Sequence, residues 1–229
     1  MRINNIRNIR YEEALHSIEK MSALLIRQFE WLVWMLEQEE KQEILERMLN
    51  NENEINNRDT ESSSILSMLM ILLVPKASLF RKILSSFQII IRVEHIGNLL
   101  IDIARMLQTC QIHLPDYLYF RTTLKKMLLI LLSTFHSVMC AFIKENKEEI
   151  YRVLQSESDI KQLQTELSTH LVSAFQDFPM TENDIRTILL IHEMTYLLKK
   201  MEEYVLNIGR SAIYAIEGVD IRHKQKNTH

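Results

Sequence analysis

Five polar side chains are the residues of this sequence most able to act together chemically. Glu94, Asn98 and Asp102 follow one another at intervals of four, so on a helix they form one row. Glu52 and Asn56 have the same spacing earlier in the chain. Carboxylates about 6 Å apart repel each other by roughly 2 to 3 kcal/mol at an effective dielectric constant of 20, so such a cluster favours a cation or raised pKa values. These residues are therefore a candidate site for a hard cation.

A chain reversal at Pro75 would bring the two groups together. Proline is tolerated between helices, and positions equally distant from such a turn lie side by side in an antiparallel pair. This predicts Asn56 near Glu94 and Glu52 near Asn98. Geometry alone favours a simpler alternative, a solvated polar face that keeps long helices soluble and specifies their pairing.

The elements that must position these residues are long helices. The chain has 229 residues, 47% of them hydrophobic, with only 3 Gly and 3 Pro. So few glycines argue against a β-sandwich, a Rossmann domain or a phosphate-binding loop. Apolar residues recur at intervals of three and four and predict an all-α protein of six helices: Tyr11 to Glu37, Ile44 to Leu73, Leu79 to Leu107, Tyr117 to Ile143, Ile150 to Phe178 and Ile185 to Ile216.

Charge and cysteine content favour a cytoplasmic protein that does not bind nucleic acid. The formal net charge is -3, which gives no basic field for a nucleic acid. Cys110 and Cys140 lie far apart in apolar stretches, as expected of free thiols in a reducing compartment. The N-terminus does not resemble a secretory signal. The apolar stretch from Met127 to Ile143 is short for a membrane span and contains polar residues, which favours a buried bundle helix.

Two parts of the sequence recur at a separation of 105 residues. MLNNENEIN, from Met48 to Asn56, aligns with VLQSESDIK, and VEHIGNLLIDIAR, from Val93 to Arg105, aligns with LKKMEEYVLNIGR. Two matches at one separation indicate two copies of a three-helix unit. We expect the copies to span residues 1–110 and 111–229.

The second copy has a row of its own, built about Pro179. It consists of Glu157, Lys161, Lys199, Glu203 and Asn207. Two lysines and two glutamates cancel in charge, and the ammonium groups could take the electrostatic role of a metal. We therefore expect no metal in this second row.

The repeated segments resemble the PhoU family of phosphate-signalling accessory proteins. VEHIGNLLIDIAR and LKKMEEYVLNIGRSAIYAIEG are similar to the third helix of each half of that family, and ENEIN and ESDIK are similar to its acidic step on the second helix. The ending IYAIEG, from Ile213 to Gly218, also matches. The resemblance covers nearly the whole chain.

This resemblance implies two tandem three-helix bundles and a cytoplasmic regulator without catalytic activity. Its implied partners are the ATPase of a phosphate ABC transporter (PstB-like) and a sensor kinase (PhoR-like), so that it is peripheral to the membrane through its partners, and a homodimer is compatible with it. Several family members carry multinuclear iron or zinc clusters on the acidic rows. That implies a metal role for the first-copy residues, which are Glu52, Asn56, Glu94, Asn98 and Asp102.

Departures from the family pattern weaken the metal prediction. Asn98 stands where the family has Asp, and Lys161 and Lys199 stand where it commonly has acids. We therefore predict substoichiometric metal in the first copy and none in the second.

Other functions remain as alternatives. One is a helical scaffold or dimerisation module without a phosphate connection, and another is a PhoU-like partner of a different phosphate carrier. Glu13 and His16 form a single ExxH sequence, whereas a di-iron oxidase needs two.

Overall fold

The computed structural model describes residues 2–37, 41–73, 75–110, 117–156, 159–174 and 181–221. Within these residues the chain is all helical and contains no β-strand, which confirms the predicted fold class. The helices are α1 (Arg2–Met35), α2 (Lys41–Leu73), α3 (Ala77–Thr109), α4 (Tyr117–Ile143), α5 (Lys147–Gln155), α6 (Ile160–Ala174) and α7 (Glu182–Glu217).

The fifth predicted helix is divided in two. Ser156 ends α5 in an extended conformation, and α6 begins only at Ile160. The Ser156 hydroxyl donates a hydrogen bond to the Val153 carbonyl, a local bond that competes with the helical pattern. The predicted end at Phe178 lies outside the described residues. Periodicity missed the break because apolar spacing continues on both sides of it.

Helix ends follow their local sequence where they are described. Thr181 caps α7 through a reciprocal box, in which its hydroxyl accepts from the Asp184 N–H and the Asp184 carboxylate accepts from the Thr181 N–H. Gly218 ends the same helix with φ of 75°, a left-handed conformation that favours glycine. Pro75 lies between α2 and α3, as predicted. Asp116, Pro115 and Pro179 lie outside the described residues.

One side of the apolar helix α4 is buried in the bundle, while Leu118 and Leu129 on it are exposed. By length and composition alone, its Leu118–Ile143 stretch, with a hydropathy of 1.8, could cross a membrane. In the fold α4 packs against α1, α5, α6 and α7. Phe135 of α4 is fully buried, with its ring centre 6.2 Å from that of Phe29 in α1. This placement agrees with the predicted core helix.

Helices α1 to α3 pack on one another, and α5 and α6 each pack on α4 and α7. The two groups meet where α3 packs on α7 and where α1 packs on α4. The Ser211 hydroxyl donates to the Gln88 side chain at 2.9 Å, and the rings of His95 and Tyr204 lie 5.6 Å apart. Because these pairs approach each other in opposite directions along the chain, α3 and α7 are antiparallel. The boundary at residue 110 stays a prediction.

A polar cluster fastens the end of α7 to α5. Glu217 accepts a hydrogen bond from the Lys147 ammonium and another from the Tyr151 hydroxyl, both at 2.8 Å. The bond from Lys147 is the main reason that the pKa of Glu217 lies below its usual value, and the bond from Tyr151 adds to it. The charged form of Glu217 is therefore the one that the fold favours.

We predict that Glu217→Gln removes part of the loss of stability in acid. A carboxyl whose pKa is lowered by folding adds stability above its unfolded pKa, near 4.5, and this stability is lost as the pH falls through the lower folded value. Melting temperatures measured between pH 7 and pH 3 should fall less steeply for Glu217→Gln than for the native chain. The exposed Glu193→Gln in the same helix is the control, and equal slopes for both variants would contradict the prediction.

Candidate functional site

Glu52 lies in the interior, between α1, α2 and α3. Only 7% of the residue is exposed, and its Oε2 accepts a hydrogen bond of 2.9 Å from the Gln28 Nε2 of α1. On the other side stands Gly97 of α3, where a Cβ atom would lie 2.7 Å from the same oxygen. The carboxylate therefore occupies the space that the missing side chain of Gly97 leaves. This contact also shows the antiparallel pairing of α2 and α3 about Pro75.

The surroundings of Glu52 disfavour the charged form of its carboxyl group. Burial raises the pKa of its carboxyl, the hydrogen bond from Gln28 opposes that shift, and the nearby Glu94 carboxylate adds to it. The Oε1 atoms of Glu52 and Gln28 are both buried without a hydrogen-bond partner among the described residues. Two acceptor oxygens thus remain beside the one amide that donates.

We call the five predicted residues of the first copy, Glu52, Asn56, Glu94, Asn98 and Asp102, the first row. All of them except Glu52 lie nearer the surface. Glu94 is partly exposed and accepts a bond of 2.7 Å from the Asn98 side-chain amide. Asp102 accepts a bond of 3.2 Å from Arg105, and half of its side chain is exposed. Asn56 is exposed. The structure therefore brings Glu52 and Glu94 close together and leaves the two asparagines at the surface.

The second row is also largely exposed where it is described. Lys161 and Glu203 are exposed, while Lys199 and Asn207 are partly buried. Asn207 accepts a bond of 2.9 Å from Arg210. Glu157 lies outside the described residues. In the described part of this row, Lys161, Lys199 and Glu203 form no ion pair with one another.

A small cavity lies beside the break between α5 and α6. Its volume is about 100 Å³, and four helices of the second copy contribute to its wall. The polar groups that line it are Thr134, Ser156, Asp159 and Glu202. Thr134 and Ser156 donate their hydroxyl protons to backbone carbonyls, so they face the cavity already engaged.

An exposed apolar stripe continues each polar row towards the N-terminus of its helix. On α7, Ile185 is 48% exposed, Leu189 64% and Tyr196 57%. On α3, Phe80 and Ile91 are 40% and 50% exposed, and they stand 105 residues before Ile185 and Tyr196. We call these the α3 stripe (Phe80 and Ile91, with the partly buried Leu84 between them) and the α7 stripe (Ile185, Leu189, Tyr196).

Comparison with known proteins decides the family. The PhoU domain matches two stretches of the chain, residues 18–107 and 124–212. The chain belongs to the PhoU family. The matches to the PhoU domain are displaced by 105 to 106 residues, in agreement with the repeat found in the sequence. Among curated protein sequences, none matches the chain.

Two crystal structures of PhoU proteins share the fold. The phosphate transport system regulatory protein PhoU from Streptococcus pneumoniae superposes with a TM-score of 0.81 at 18% identity, covering 94% of this chain and 99% of its own. PhoU from Pseudomonas aeruginosa superposes with a TM-score of 0.77 at 18% identity, covering 93% of this chain and 99% of its own. At this identity the likeness establishes the fold.

The first row does not fit the multinuclear metal cluster that the PhoU resemblance implies. Among the described residues, no three His, Cys, Asp or Glu side chains come together as a ligand group. Glu13 and His16 do not form one either, because they are exposed and engage Arg10 and Glu19, respectively. A cation bound by fewer residues of the first row stays a prediction.

Sequence reasoning missed Gln28 and Gly97. A lone glycine inside a helix of a glycine-poor chain is a signal of close approach, so Gly97 could have been found. Gln28 carries no such signal. Its role depends on which face of α1 meets α2, and only the assembled PhoU fold determines that.

We predict that Gly97→Ala destabilises this PhoU protein. Alanine gains about 1 kcal/mol of helix propensity. It also displaces Glu52 from the Gln28 amide, and a hydrogen bond to a charged group contributes about 1.5 to 3 kcal/mol. The net loss is about 0.5 to 2 kcal/mol, so the melting temperature should fall by about 1 to 8 °C.

The matched control is the same substitution in a Glu52→Ala background. There the carboxylate is absent, so Gly97→Ala should raise the melting temperature through helix propensity alone. An increase in both backgrounds would show that Glu52 does not occupy the space at Gly97.

Proposed function

We propose that this PhoU-family chain regulates phosphate uptake and phosphate-starvation signalling by contact with other proteins. The observation that carries the proposal is the family match over both repeats. The protein from Streptococcus pneumoniae that shares the fold is described as a regulatory protein of the phosphate transport system. We extend that role to this chain.

A role through contact and not through catalysis agrees with the site. PhoU proteins are a regulatory family, and the acidic groups of the first row already accept hydrogen bonds from Gln28, Asn98 and Arg105.

Our proposed partners are the ATPase of a phosphate ABC transporter and a sensor kinase, bound at the cytoplasmic face of the membrane. The α3 and α7 stripes support this part of the proposal. Exposed apolar side chains at intervals of four and seven lie on one face of a helix and suit a partner helix laid along the stripe. Two equivalent stripes on one chain would offer two contact surfaces of similar geometry.

The same stripes also support the alternative of a scaffold or homodimer. Exposed apolar rows on long helices could equally be covered by a second copy of the chain. A PhoU-like partner of a different phosphate carrier would use the same surfaces. Identification of the bound protein separates these alternatives.

We predict that loss of the gene derepresses the phosphate-starvation response. Without the regulator, the sensor pathway should remain active when phosphate is ample. Alkaline phosphatase activity, measured in cells grown with excess phosphate, should therefore rise above that of the parent strain. An unchanged activity would count against the phosphate role, and restoration by the intact gene is the control.

We predict that Leu189→Glu weakens partner binding at least tenfold. A charge in the middle of the α7 stripe would have to be desolvated in the complex. The tagged chain is purified from its native cell, and the amount of transporter ATPase or sensor kinase recovered with it is measured by mass spectrometry.

Val172→Glu is the matched control because Val172 is an exposed valine of α6, 70% accessible and outside both stripes. It should retain the partner. Both variants should keep the helical circular dichroism of the native chain. Equal recovery with Leu189→Glu and Val172→Glu would exclude the α7 stripe as the contact surface.

A further inference from the structure

Each carboxylate of the first row has a donor from this chain. Glu52 accepts from the Gln28 amide at 2.9 Å, Glu94 from the Asn98 amide at 2.7 Å, and Asp102 from the Arg105 guanidinium at 3.2 Å. Two of these donors are uncharged carboxamides. The row therefore receives from side chains the hydrogen bonds that stabilise its negative charge.

We infer that in this chain the side-chain donors take the place of a metal ion at the first row, and that Gln28 does so for the buried carboxylate. The first-row residues do not form the ligand group that the family's metal clusters need, and this does not depend on which partner the protein contacts.

The packing around Glu52 supports this inference. Gln28 is fully buried and Glu52 nearly so, and the Cα of Gly97 closes the α3 side of the carboxylate. Zinc takes four ligands, and magnesium or calcium takes six or more oxygens. The described residues gather no such set around Glu52.

The negative charge of the buried Glu52 also supports the inference that Gln28 takes the place of a metal ion. A buried carboxylate is destabilising unless it receives a hydrogen bond, pairs with a cation or takes up a proton, and here Gln28 supplies a hydrogen bond. Gln28 belongs to α1 and Glu52 to α2, and one hydrogen bond between them therefore also fixes how these helices pack. The unpaired Oε1 atoms of Gln28 and Glu52 are the oxygens that a cation would require, and they make the inference testable.

Glu52→Gln in the full-length chain distinguishes a donor from an ion. The new amide keeps the acceptor for Gln28 and can donate to the unpaired Gln28 oxygen, so we expect the melting temperature to rise by about 2 to 4 °C. The zinc and iron content per chain, measured by elemental analysis after purification without chelator, should be the same in both proteins. A fall in melting temperature together with the loss of a bound ion would overturn the inference.

Gln28→Glu provides the second test. It replaces the donor by a second carboxylate beside Glu52, so the melting temperature should fall by several degrees in chelator and recover in part when Zn²⁺ or Mn²⁺ is added. The control is Gln162→Glu, because Gln162 makes the same amide bond to Glu166 at 2.8 Å on the exposed surface of α6. If Gln28→Glu were as stable as Gln162→Glu in chelator, Gln28 would not be the required donor.

Discussion

The burial of the Glu52 carboxylate is the constraint on which the first repeat depends. A charged group that leaves water must receive a hydrogen bond or a counter-ion, and both the α1 and α3 helices respond to that requirement. Gln28 supplies the donor from α1, and Gly97 supplies the space on α3. These three residues lie on three different helices, so the position of one carboxylate sets the packing of the whole unit.

The two repeats differ in the continuity of their helices and in their interior polar groups. In the first, the three helices are uninterrupted and the interior polar group is enclosed. In the second, the helix that corresponds to α2 is divided into α5 and α6, and a small cavity lies beside the division. Duplication has preserved the overall unit and its exposed stripes, while the interior polar chemistry has diverged.

Much of the fold could be predicted because long amphipathic helices produce a regular spacing of apolar residues in the sequence. Apolar residues at intervals of three and four located the long helices. They also predicted one helix from Ile44 to Leu73, and α2 does run without a break through the Asn-rich stretch 49–59. The division of the fifth helix escaped prediction because the apolar spacing continues on both sides of it. For the site, folding about Pro75 predicted Glu52 near Asn98 and Asn56 near Glu94, whereas the structure places Glu52 against Gly97 and close to Glu94. Spacing placed Glu52 in a row with surface residues, whereas the structure turns its carboxylate inward.

The sequence by itself determined the helical class, the repeat and the kinship, since all three depend on patterns that a linear chain displays. The tertiary structure alone decided which donors reach the acidic row. Gln28 and Glu52 are distant in sequence and meet only because α1 and α2 pack antiparallel, with α3 close enough that Gly97 must lack a side chain. Periodicity specifies the face of a helix, but the partner of a buried charge depends on how several faces are brought together, and only packing settles that.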